Sequence, residues 1–156
     1  MNHQITCTVN HQSYHVSVAS QRTLLQMLRE QLGLTGAKNG CATGECGACS
    51  VLLNDEVVNA CLVLAVEADH ASIITVEGLA ENGELSTLQR SFLDHSASQC
   101  GFCTSGMLIV ASALLKQASR PEASAIRAGL SGNLCRCTGY DDIVKAIIAA
   151  SRARRT

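Results

Sequence analysis

The sequence predicts a small α+β domain followed by an all-α bundle. Three observations predict it: two alternating apolar and polar runs at the N-terminus, a glycine-rich loop after a short amphipathic helix, and a change to helical periodicity after Glu77-Gly78. The change places a domain boundary near 78–84 and divides the chain into 1–78 and 79–156.

Residues 4–9 alternate, with Ile5, Cys7 and Val9 on one face and Gln4, Thr6 and Thr8 on the other, as in a half-buried strand. A turn at Asn10 to Gln12 leads to a second alternating run through Tyr14, Val16 and Val18, so the pair reads as a hairpin. Thr23 and Gln26 have capping-box spacing, and Leu24, Leu25, Leu28 and Leu32 follow on one helical face, which predicts a helix over 23–32. Residues 33–49 hold five of the twelve glycines, in a loop whose backbone must take up positive φ or approach something closely. Strands are expected at 49–53, 57–62 and 72–76, the first two joined by Asn54-Asp55, both of which accept the conformation of a tight hairpin turn.

In the second half, Ser86 and Gln89 offer another capping box, and Leu88, Phe92 and Leu93 mark the buried side of a helix over about 86–96. Residues 104–117 read as a largely buried helix. Pro121 suits the start of a helix carrying Ile126 and Leu130, and 140–152 supplies a fourth through Ile143, Ile147 and Ile148. Four helices of this length predict a compact bundle. With two Tyr, two Phe and no Trp, both cores must be built from small aliphatic side chains, and domains this small need stabilisation beyond their apolar cores.

The formal charge of −1 provides no basic face for nucleic acid; the positive cluster Arg152, Arg154 and Arg155 reads as a solvated tail. The longest apolar run, Met107 to Ala111, falls far short of the roughly 20 residues of a membrane span. The polar N-terminus has no export signal, so the expected location is the cytoplasm. Nine cysteines in a reducing compartment point to metal ligation or redox chemistry rather than disulfides.

Their spacing decides further. Cys41, Cys46 and Cys49 stand as C-x4-C-x2-C, with Cys61 after the next hairpin, which is the plant-type [2Fe–2S] pattern. A core of two irons and two sulfides needs two thiolates on each iron from different directions: a tight loop supplies three and a returning strand the fourth. Glycines let the loop aim several N–H groups at the anionic cluster. A four-cysteine zinc site is the competing reading, but zinc ribbons favour paired C-x2-C knuckles. Cys100 and Cys103, with Cys135 and Cys137, form a second quartet near helix ends, for which spacing alone leaves zinc and iron–sulfur both open. Cys7, on the inward strand face, reads as a core residue. The five histidines lie outside the cysteine motifs and no nucleophile-and-base arrangement is visible, so no catalytic residue is assigned.

The segments GCATGECGACSVLL, QCGFCTSGM and GNLCRCTGY strongly resemble the iron–sulfur subunit of the xanthine dehydrogenase, or molybdenum hydroxylase, family, and the resemblance covers nearly the whole chain. It implies a β-grasp ferredoxin domain holding one [2Fe–2S] cluster on Cys41, Cys46, Cys49 and Cys61. A four-helix-bundle domain would hold the second on Cys100, Cys103, Cys135 and Cys137. It further implies a large partner subunit with a molybdopterin cofactor, approached by Gln99 and Cys137, and a medium subunit with FAD as one possible acceptor. Gln99 also has a plain reading as a helix-capping amide, and Arg136 as an exposed arginine rather than a partner-facing one. Relatives commonly carry Pro where this chain has Ser105, which is expected to cap the helix instead, with slight loosening and no loss of ligation. The implied function is single-electron relay within a molybdenum-dependent oxidoreductase, with no substrate chemistry on this chain. The competing readings are a free-standing two-cluster carrier and a zinc-stapled interaction module.

Overall fold

The computed structural model describes residues 1–80 and 82–153. Of the C-terminal arginines, Arg154 and Arg155 lie outside the described residues, while Arg152 is exposed.

The first half is a five-stranded mixed sheet. Strands β1 (Asn2–Val9) and β2 (Gln12–Ala19) form the expected hairpin, with Asn10 and His11 both at positive φ in the turn. Ile5, Cys7 and Val9 are buried, as the alternation requires. Strands β3 (Ser50–Leu53) and β4 (Glu56–Asn59) form a second hairpin through Asn54 and Asp55, again both at positive φ. Strand β5 (Ser72–Ile74) completes the order β2-β1-β5-β3-β4, pairing parallel with β1 and antiparallel with β3.

Helix α1 (Leu24–Gln26) starts at the predicted capping box: Gln26 N donates to Thr23 Oγ1 and Thr23 N to the Gln26 side chain. It does not continue as an α-helix to residue 32. From Met27 to Gln31 the turn widens to π geometry, with Leu32 N donating to Met27 O, and Gly33 ends it at φ +69°. The leucine spacing is compatible with either winding, because Leu24, Leu25, Met27 and Leu28 remain buried against the sheet. The widened turn leads straight into the cysteine loop.

The second half is helical: α2 (Thr87–Asp94), α3 (Thr104–Gln117), α4 (Ala123–Gly129) and α5 (Asp141–Ala153). The Ser86–Gln89 capping box forms as expected. Leu88 and Phe92 are buried, but Leu93 is 64% exposed and does not belong to the core face. Pro121 precedes the N-cap Glu122 rather than opening α4, so it fixes the approach of the chain to the helix. Ile126, Leu130, Ile143 and Ile147 are fully buried, and Ile148 packs at the margin.

Leu52 of β3 packs against Ile109 and Ala113 of α3, with Ile74 and Leu79 alongside, and this small cluster joins the two halves. The cores are therefore aliphatic, with Phe92 the largest fully buried side chain. Among the described residues no helix is long and apolar enough to cross a membrane.

Candidate metal centres

The loop from Gly33 to Cys49 and the turn after β4 bring Cys41, Cys46, Cys49 and Cys61 to one end of the sheet. Ala42 sits at φ +57°, a left-handed residue that turns Thr43 N toward Cys41 Sγ at 3.4 Å. Hydrogen bonds from Thr43 and Cys46 lower the Cys41 thiol to about 6. Burial raises the Cys49 thiol instead, against a backbone hydrogen bond from Cys61 that lowers it and ahead of the Cys61 thiol, which raises it further. The side chain of Asn59 ties the loop to β4, accepting weakly from Cys49 Sγ and donating to Gly44 O at 2.8 Å.

The second quartet gathers where α3 begins. Cys103 is the N-cap of α3, and Cys135 and Cys137 lie on the loop before α5. Cys137 Sγ is 3.7 Å from Cys100 Sγ, and Cys103 pairs with Cys135. Burial and then the Cys135 thiol push Cys103 up to about 12. Burial opposes ionisation of Cys135 too, but Thr138, whose Oγ1 lies 3.1 Å from Cys135 Sγ, brings that thiol below its ordinary value. Tyr140 braces the loop, because its hydroxyl accepts from Cys135 N and donates to Asn133 O, both at 2.9 Å.

Each quartet thus resolves into two pairs: Cys41 with Cys46, Cys49 with Cys61, Cys100 with Cys137, and Cys103 with Cys135. A mononuclear zinc site draws all four sulfurs around one centre, at about 2.3 Å each. Two cysteine pairs per quartet suit a binuclear core with two thiolates per iron, so the donor sets fit [2Fe–2S] clusters.

The two loops also touch. Leu134 N donates to Cys46 O at 2.9 Å, and Asn133 Nδ2 to Gly47 O at 2.9 Å. Gly47, at φ +68°, lies so near Gly132 O and the Asn133 side chain that a Cβ there would overlap both. Cysteine spacing could not reveal this junction; the glycine between two ligands was its sole trace in the sequence.

Cys100 and Cys137 are exposed, and Phe102 and Leu134 beside them are 47% and 56% exposed. Gln99 is also exposed and caps neither α2 nor α3, whose caps are His95 and Cys103. Arg136 is exposed. Cys7 is buried within the sheet core, apart from both quartets. Ser105 departs from expectation: it is buried in the first turn of α3, its hydroxyl has no hydrogen-bond partner, and it caps nothing.

The 2Fe-2S iron-sulfur cluster binding domain family matches residues 7–80, and the [2Fe-2S] binding domain family matches residues 75–148. The chain is 46% identical over 143 residues to the nicotinate dehydrogenase small FeS subunit of Eubacterium barkeri, covering 92% of this chain and 91% of that protein. It is 41% identical over 160 residues to the xanthine dehydrogenase iron-sulfur-binding subunit of Escherichia coli O157:H7, covering 99% and 100%. A chain of quinoline 2-oxidoreductase from Pseudomonas putida 86 superposes with a TM-score of 0.95 at 44% identity, covering 99% of this chain and 96% of that one. With near-complete coverage in each case and both cluster-binding patterns in order, the chain belongs to the iron–sulfur subunits of the xanthine dehydrogenase, or molybdenum hydroxylase, family.

Proposed function

We propose that this chain relays single electrons from a molybdopterin centre in a large partner subunit to a FAD-bearing medium subunit or another acceptor. The observation that carries the reading is the pair of doubly paired cysteine quartets held in contact through Leu134 N and Cys46 O. Cys41, Cys46, Cys49 and Cys61 hold one [2Fe–2S] cluster, and Cys100, Cys103, Cys135 and Cys137 the other. When bound, each cluster supplies reversible one-electron redox chemistry. The chain's own residues provide thiolates, backbone donors and an apolar surround, and carry no substrate chemistry.

The helical-half site is the input end. Its Cys100 and Cys137 are exposed and bordered by exposed Phe102 and Leu134, a surface that a partner covers. Gln99 and Cys137 then face the molybdopterin, and their exposure on that surface supports this placement. The sheet order and the packing of α1 support a β-grasp ferredoxin domain over 1–78, and the buried faces of α2 to α5 support a four-helix bundle over 79–156. A cytoplasmic location suits nine unpaired cysteines.

The test is isolation of the native complex. About four irons and four inorganic sulfides per copy of this chain are expected, with a molybdenum-containing large chain copurifying. A colourless zinc protein overturns the cluster assignment, and an iron-loaded monomer without a molybdenum partner leaves the free-standing carrier instead.

A further inference from the structure

Asn133 is 4% exposed and belongs to neither ligand set, yet it touches both cluster loops. Its Nδ2 donates to Gly47 O at 2.9 Å and lies 3.4 Å from Ser50 Oγ, which itself donates to Gly47 O at 2.7 Å. Its main-chain carbonyl accepts from Tyr140 Oη, the hydroxyl that also receives Cys135 N. Gly47 lies between Cys46 and Cys49, and Asn133 two residues before Cys135, so this one side chain bridges ligand-bearing segments 86 residues apart. Space around it is closed: a Cβ on Gly106 would meet Gly47 O and Asn133 Nδ2. With Nδ2 held on Gly47 O and the residue's main chain held by Tyr140, the buried amide keeps its donor on the Gly47 loop.

We infer that Asn133 is a positioning residue for electron transfer between the two clusters, fixing the separation and contact of the loops that hold them. This rests on the two-cluster reading above. The amide is required for its donor. In Asn133→Asp, an isosteric carboxylate would put an acceptor against the Gly47 carbonyl in a buried site, and Asn133→Ala would leave that carbonyl without this donor. Either change loosens the 132–135 segment at Gly47, leaving Leu134 N on Cys46 O as the remaining tie between the loops and all eight cysteines in place.

The experiment uses the holo complex carrying Asn133→Ala, Asn133→Asp or Ser50→Ala. Iron and sulfide content and the two EPR signals of the unaltered complex are measured first; their absence overturns the two-cluster reading, and the inference falls with it. Given both clusters, Asn133→Ala is expected to retain iron, to change the magnetic splitting between the two reduced clusters, and to slow electron equilibration between them. The slowing should reach about tenfold or more, as ångström-scale misplacement produces. Asn133→Asp should do so at least as strongly, and Ser50→Ala, which leaves the Asn133–Gly47 bond, should change neither readout. Unaltered splitting and rate in an iron-replete Asn133→Ala complex overturn the inference. Where the Asn133 variants lose iron, Gly106→Ala decides: its Cβ intrudes between Gly47 O and Asn133 Nδ2 and breaks the same bond, and an unchanged splitting there overturns the inference as well.

Discussion

Neighbouring residues of one type can have opposite duties, and the cysteines separate on burial and partners. Cys7 fills the sheet core, where burial raises its thiol, and it reaches neither quartet. Cys7→Ala should therefore keep the full iron content and lose only packing stability, whereas Cys49→Ala should halve the iron and abolish one EPR signal; iron analysis beside EPR checks both. Ser105 is the reverse case, a polar group placed where nothing answers it. Replacing it with Ala removes an unsatisfied hydroxyl and should stabilise the chain by about 1 kcal/mol in denaturant unfolding. The two cysteine quartets were legible because spacing along the chain reports them. The pairing of Cys100 with Cys137 and of Cys103 with Cys135 was not, since α3 and α4 separate the partners in sequence and only their packing brings the sulfurs together.

Elements that begin with local signals formed where those signals stand. Thr23 with Gln26 and Ser86 with Gln89 each close a reciprocal capping box within four residues, which is why both helix starts could be read directly. Helix ends and windings depend on tertiary contacts and were less legible: the π turn at Met27–Gln31 and the entry of Pro121 ahead of α4 follow from where the chain must go next. The start of α5 shows how weakly a surface contact acts. Arg127 of α4, by hydrogen bond and then by charge, holds the exposed Asp141 carboxyl below its ordinary value of 3.8. The stability this contributes is present above the unfolded value and is lost as pH falls through the lowered one. At full exposure it is small. In Arg127→Ala, an NMR titration should show Asp141 moving back toward 3.8, with little change in the melting curve.

At the scale of the molecule, the two halves are held by apolar packing at Leu52, Ile109 and Ala113 and by the polar junction at Gly47, and one outer face is left unfinished. Phe102 and Leu134 expose about half their surface beside the exposed Cys100 and Cys137. Leu134 matters twice: its backbone N–H serves the inner junction with Cys46 while its side chain faces outward. A charge placed on that side chain can therefore disturb docking without breaking the internal bond. In Leu134→Asp and Phe102→Asp, the burial of a carboxylate against an apolar partner surface should outweigh any other effect and weaken assembly with the large subunit. Copurification with the large chain should fall while the iron content of this chain and both EPR signals persist. Loss of iron with assembly intact would instead make these side chains supports of the cluster loop, and full assembly with full iron would place the docking face elsewhere on the surface.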